Sequence, residues 1–369
     1  MISRVADHCF WFGRYLERAE STARVLAVTQ NLALDAELTP PECWRPVLIA
    51  FGQEPQFLEL RGEAAAGDGE AVQRYMSFDE DNGASLRRSI AAARDNARSI
   101  REAVSLEVWE TINELHLWMD SDQAAEEYAV NRYGFYRRVR QLEQLALGLT
   151  QSTMLHDTPL DFIWLGVLIE RLGQTARTLA VHHLAFSASN AASLRSGPAS
   201  SRSGPASSRS GPASSRGPAL AAAHPFGAGH QVVETALWLT ILRACSGFEP
   251  FMKVSQGRVT GEAVASFILF EPRFPRSIRH CAHAAYQRLC DIRPEESATL
   301  PGGDSLQRLH ALLRWVTDLA GDPFEPARLH EMLTYVVDET SAICDGIGRE
   351  LLGYGPPQRA APSQSQSQA

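Results

Sequence analysis

None of the six cysteines in this 369-residue chain (Cys9, Cys43, Cys245, Cys281, Cys290, Cys344) stands in a C-x-x-C pair. Scattered thiols, with Cys9 and Cys281 inside helical patterns, make neither a zinc ribbon nor a disulfide framework. They read as reduced, buried groups, which points to the cytoplasm. A signal-peptide apolar core is missing, because Arg4, Asp7, Arg14 and Glu17 interrupt the N-terminal stretch. Long apolar runs are missing too. The longest, Val232 to Cys245, contains Glu234 and Arg243 and is too short to span a bilayer. No segment alternates apolar and polar residues convincingly between turn residues, so no sheet is expected. Positive charge is also in short supply. The chain carries −8, and −12 once the four arginines of a low-complexity stretch are set aside, which argues against nucleic acid as a partner.

Several catalytic signatures are absent as well. There is no Glu-x-x-His pair for a bundle di-iron site. His280-x-x-His283 has no clear carboxylate or cysteine companion, so no metal site is expected. P-loop, GxGxxG, GxSxG and papain-like cysteine contexts do not occur, so the chain is expected to hold no cofactor of its own.

What the chain does contain is repetition. Trp11 to Val28 (WFGRYLERAESTARVLAV) returns as Trp164 to Val181 (WLGVLIERLGQTARTLAV), with ten of eighteen positions identical. Unrelated stretches would share about one. Trp44, Val47, Leu48, Ala50, Glu54 and Pro55 return as Trp238, Ile241, Leu242, Ala244, Glu249 and Pro250. A third echo carries Glu70, Tyr75, Phe78, Asp79 and Ser85 to Glu262, Phe267, Phe270, Glu271 and Ser277. The offset grows from 153 to 192 residues, so 39 residues are inserted within the later copy. The sequence therefore reads as a tandem duplication: a first repeat over 1–155 and a second over 156–352. The second is interrupted by a Ser/Gly/Pro/Arg stretch over 187–230, containing three copies of RSGPASS. That stretch and the tail over 353–369 are expected to be disordered. The arginines of the stretch read as by-products of repeat expansion.

The helical period dominates elsewhere. Val5, Cys9, Phe12, Leu16, Ala19, Ala23 and Leu26 step by fours and threes, as do Phe162, Leu165, Ile169, Leu172, Ala176 and Leu179. Further helices are expected over 44–51, 85–104, 106–119, 132–151, 231–245, 260–270, 275–290, 305–319 and 326–352. The expected fold is all-α: two pseudo-equivalent bundles, or one merged bundle with internal two-fold symmetry.

On the first helix Gly13, Glu17, Glu20 and Arg24 form one stripe, and Trp11, Arg18 and Thr22 another. The second copy keeps Glu170, Arg171 and Arg177. One reading is a helix buried on several sides, with Glu17 and Arg24 each paired to a charge on another helix. The other is a shared polar cleft where Arg14, Glu17, Arg18, Arg24, Glu170, Arg171 and Arg177 hold an anionic or zwitterionic ligand or a partner protein. A second candidate anion site is a helix start at Pro275, with Arg273, Arg276, Ser277 and Arg279 beside free N–H groups. His156-Asp157 has the makings of a general-base pair, but a cap or turn is the ordinary reading. Arg94, Asn96 and Arg98 read mainly as a solvated face.

The stretches ISRVADHCFWFGRYLERAESTARVL, WLGVLIERLGQTAR, ARDNAR and FEPRFPRSIRHC together resemble the bacterial alpha-E domain family, from about Met1 to Leu352 without the low-complexity stretch. Members of that family are all-helical. Their genes typically sit beside, or are fused to, a circularly permuted ATP-grasp ligase, often with a transglutaminase-like cysteine protease nearby. The resemblance implies a partner role in peptide or amide ligation, with ATP and magnesium belonging to the ligase. Val167 and Leu172 replace the arginine and alanine usual in the family's second repeat.

Two functions follow as expectations. In the first, the chain presents or positions a peptide or amino-acid-like ligand for an ATP-grasp ligase. In the second, it is an enzyme acting on a peptide or amide, with Glu17 or Glu170 as base. A glutamate beside arginines has a lowered pKa and is a poorer base at neutral pH, which favours binding.

Overall fold

A computed structural model of the chain describes residues 3–35, 38–195, 228–256, 258–293, 301–321 and 325–354. Among these are fifteen α-helices and no strand. In chain order they are α1 (Ser3–Asp35), α2 (Pro40–Ala50), α3 (Glu54–Arg61), α4 (Gly69–Phe78), α5 (Leu86–Ser99), α6 (Leu106–Met119), α7 (Asp122–Val130) and α8 (Arg132–Thr153). Then follow α9 (Thr158–Arg195), α10 (Ala228–Ala244), α11 (Phe248–Val254), α12 (Gly261–Phe270), α13 (Ile278–Ile292), α14 (Gly303–Leu319) and α15 (Leu329–Glu350). No helix among the described residues is long and apolar enough to cross a membrane.

The long helices α1 and α9 lie against each other at the centre. Around α1 pack α5 and α8, closed by α6; around α9 pack α13 and α15, closed by α14. The second helices are exchanged: α2 lies on α9, and α10 lies on α1. Residues that correspond in the sequence echoes take corresponding places. Ser85 caps α5 by accepting from the Arg88 N–H, and Ser277 caps α13 by accepting from the His280 N–H. Gly69 and Gly261 leave room for the indole rings of Trp44 and Trp238, respectively.

One apolar core runs through both halves, joining Phe10, Phe12 and Leu16 of α1 to Ile163, Val167 and Ile169 of α9 and Ile278 of α13. A second fills the space under α2 to α8 around Trp44, Phe57, Tyr75 and Phe135. The merged arrangement therefore describes the molecule better than two separate bundles.

Two boundaries differ from the sequence expectation. The 187–230 stretch is helical at both ends, because α9 continues to Arg195 and α10 begins at Ala228. Ala185, Ala188, Ala191 and Ala192 supply helix propensity that the Ser/Ala composition conceals. Residues 196–227, with nearly all of the RSGPASS repeats, lie outside the described residues. The expected tail also begins late: the Tyr354 hydroxyl donates to Asp7 Oδ1 at 2.6 Å and accepts from the Trp11 indole, tying it to α1. The rest of the tail, from 355, lies outside the described residues.

A crossed Glu-Arg clasp as the candidate functional site

Helices α1 and α9 come close because each presents a glycine where they cross. A Cβ on Gly13 would run into the carbonyl oxygen of Ile163, and one on Gly166 into that of Phe10. The two contacts are reciprocal, since Gly13 corresponds to Gly166 and Phe10 to Ile163. At this separation the charged residues one turn on can bridge the helices.

They do so crosswise. Arg18 donates through Nε to Glu170 Oε1 at 2.7 Å and through Nη2 to Oε2 at 3.0 Å. Arg171 donates through Nη2 to Glu17 Oε2 at 2.7 Å. Each Glu-Arg dipeptide thus exchanges partners with the other. Arg14 completes the Glu170 side, its Nε 2.8 Å from Oε2. The corresponding residue of α9 is Val167, which cannot do the same for Glu17. Arg276 takes that role from the turn before α13, with Nη1 2.6 Å from Glu17 Oε1 and Nη2 2.8 Å from Glu20 Oε2.

Glu20 also accepts from Gln144 at 3.0 Å and from Arg24 on its own helix. The expected pairing of Arg24 to another helix is corrected here. Arg177, its counterpart, faces Gly173 where Arg24 has Glu20, and donates instead to the Ala50 carbonyl at 3.1 Å, at the end of α2. Glu17 and Glu20 are wholly buried and Glu170 is 3% exposed, so the stripe of Gly13, Glu17, Glu20 and Arg24 faces other helices rather than solvent.

The electrostatics follow from this crowding. Burial alone would raise the Glu17 carboxyl, but Arg171 and Arg276 outweigh it and hold it below the ordinary range. The same balance, with Arg18 and Arg14 prevailing over burial, keeps Glu170 ionised. Six guanidiniums (Arg14, Arg18, Arg24, Arg171, Arg177, Arg276) gather about Glu17, Glu20 and Glu170, an excess of positive charge. Arg24 accordingly drops to about 9, through burial first and then Arg276 and Arg140. Arg177 is lowered by burial, with Arg18 and Arg14 adding to it against Glu170. Carboxylates this well bonded are clamps rather than proton acceptors.

The second expected anion site does not form. Helix α13 starts at Ile278, not Pro275, because Ser277 is its N-cap. Ser277 is committed to the cap, Arg276 points into the clasp, and Arg273 pairs with Glu271 at 2.6 Å. Arg279 remains at the helix start, partly buried. His156 turns to the Gln151 carbonyl at 3.1 Å, not to Asp157. His280 bonds the Pro272 carbonyl at 2.9 Å and His283 approaches Gln287, and no metal-sized group of ligands gathers among the described residues. Asn96 meets His8 at 2.9 Å, while Arg94 reaches Asn113 and Asp95.

Sequence reasoning missed Glu143. It lies on α8, wholly buried, and neither carboxyl oxygen has a partner. Burial, followed by the neighbouring Glu17 charge, pushes its carboxyl well above the usual range. The signal was present: Tyr136, Val139, Glu143 and Leu147 share one face of α8, so the acid sits in an apolar stripe.

The fold and clasp define an all-helical protein whose two central helices are locked by exchanged Glu-Arg pairs. The chain belongs to the Alpha-E family, described as a predicted alpha-helical domain with a conserved ER motif, whose model matches residues 1–352. The dipeptides Glu17-Arg18 and Glu170-Arg171 fit that description. Two curated proteins, both named as uncharacterized, are similar to it: one from Mycobacterium bovis and one from Mycobacterium tuberculosis. Each is 26% identical over 319 residues, covering 81% of this chain and 31% of the relative. The chain thus spans under a third of the length of these relatives. No solved structure matches it.

Proposed function

We propose that this protein is a helical partner of an ATP-grasp-type peptide or amide ligase, presenting or positioning a peptide or amino-acid-like ligand. The observation that carries the reading is the 31% coverage of the curated relatives. There the helical unit is the smaller part of a longer chain, so it works joined to other structure. The clasp supports a positioning role over a catalytic one. Glu17 and Glu170 are ionised and each is held by two arginines, so neither is a ready base. ATP and magnesium belong to the ligase, and a transglutaminase-like protease is a further partner of the same system.

The test is recovery of the tagged chain from its native host under mild conditions, with mass spectrometry of what is retained. Stoichiometric recovery of an ATP-grasp protein is expected. Recovery of the chain alone, from a lysate in which that ligase is present, would overturn the reading.

A further inference from the structure

The two halves each carry a pocket at corresponding places, the second bordering the clasp at Pro275, whose carbonyl accepts from Arg171 at 3.5 Å. The first, about 400 Å³, lies on α4 and the end of α3, lined by Arg61, Arg74, Tyr75, Phe78 and Asp79. The second, about 870 Å³, lies between α11, α12 and the turn before α13, lined among others by Lys253, Phe267, Glu271, Arg273 and Phe274. Three wall positions recur at one spacing of 192 residues: the cations Arg61 and Lys253, the rings Tyr75 and Phe267, and the acids Asp79 and Glu271. Both volumes suit a small ligand or the end of a peptide.

Each pocket holds two cations, against one acid in the first (Asp79) and two in the second (Glu249 and Glu271). In each, one cation is spent on an acid: Arg61 on Asp79 at 2.8 Å, and Arg273 on Glu271 at 2.6 Å. In each, one further cation makes no hydrogen bond or salt bridge among the described residues: Arg74 in the first and Lys253 in the second. Lys253 is the only lysine in the chain. Beside each of these cations stands an aromatic wall, Tyr75 with Phe78, and Phe267 stacked on Phe274 with ring centres 4.8 Å apart. An uncommitted cation at an apolar wall selects a ligand with an apolar body and an anionic end. In the second pocket Glu249 makes no side-chain hydrogen bond or salt bridge among the described residues, and accepts a hydrogen bond where such a ligand offers an N–H.

We propose that these are paired binding sites for an apolar carboxylate of the kind a hydrophobic peptide C-terminus presents, with Arg74 and Lys253 receiving the carboxylate. The inference concerns the pockets rather than the Glu-Arg pairs of the clasp and does not require the ligase.

The intact chain, titrated calorimetrically with N-acetyl-phenylalanine, is expected to show two sites. N-acetyl-phenylalanine amide, which lacks the charge, is expected to bind about tenfold more weakly or worse. Arg74→Ala removes one site and Lys253→Ala the other. Both side chains are exposed and make no hydrogen bond or salt bridge among the described residues, so circular dichroism should show an unchanged fold. Reductive ¹³C-methylation keeps the charge and gives a single lysine resonance, which should shift with the carboxylate and not with the amide. Equal binding of the amide, a stoichiometry that both substitutions leave unchanged, or a stationary lysine resonance at saturating carboxylate would overturn the proposal. So would the absence of any binding. Because no ligase is present, this outcome is separate from that of the co-purification.

Discussion

Arg276 bonds Glu17 at 2.6 Å from a turn 259 residues further along the chain. It stands in for the arginine that α9 lacks at Val167, opposite Arg14 of α1. One residue outside the repeated helix thus completes the clasp, and it serves both Glu17 and Glu20. Arg276→Ala leaves two buried carboxylates short of a partner and is expected to cost about 3–5 kcal/mol in denaturant unfolding. A variant as stable as the wild type would show that Arg276 is dispensable.

The helix crossing depends on two missing methyl groups. Gly13→Ala and Gly166→Ala each push a Cβ into a backbone carbonyl, which cannot rotate away. Each is expected to lower unfolding stability by about 3 kcal/mol through overpacking. Gly148→Ala, in open space on α8, is the control and should be neutral or stabilising by up to about 1 kcal/mol.

Glu143 makes a pH prediction whose sign is fixed. Its folded pKa lies above its ordinary value of about 4.5, so its contribution is complete below that value and is lost as pH rises. Wild-type stability at this site falls by about 1.4 kcal/mol per pH unit until the folded pKa is reached. Glu143→Gln, which cannot ionise, should match the wild type near pH 4 and exceed it at pH 8. The opposite ordering in paired denaturation curves would mean that Glu143 is ionised and stabilised in the fold.

The buried thiols should be inert. Burial raises Cys9 and Cys281 to about 12 and Cys43 and Cys245 to about 11, leaving little thiolate at neutral pH. Iodoacetamide mapped by mass spectrometry is expected to spare all four until denaturant is added. Fast native labelling of Cys9 or Cys281 would show that α1 or α13 opens readily.

Long, periodic helices were legible because their apolar spacing is dense. The Leu106–Met119 helix matches residue for residue, and the seams of α1 and α9 are buried as their period requires. Short helices were not: α3, α7 and α11 carry two turns or little more, too few for periodicity to emerge. The clasp was half legible. Duplication of Glu17 and Arg18 marked the right residues, but a single sequence does not say that Arg18 reaches Glu170 rather than a ligand. Arg276 was singled out for the wrong reason, as an anion-binding residue at a helix start. Spacing alone cannot tell a guanidinium facing solvent from one facing buried carboxylates 256 and 259 residues earlier.

The exchange of second helices, α2 onto α9 and α10 onto α1, separates the unit of repetition from the unit of transplantation. Residues 1–155 moved alone into another protein would leave Glu17 without Arg171 and Arg276, and α2 without the surface it covers. The boundary that repetition draws in the chain is therefore not a seam at which it can be cut. The match to the mycobacterial relatives likewise runs across 319 residues, covering 81% of this chain within longer chains.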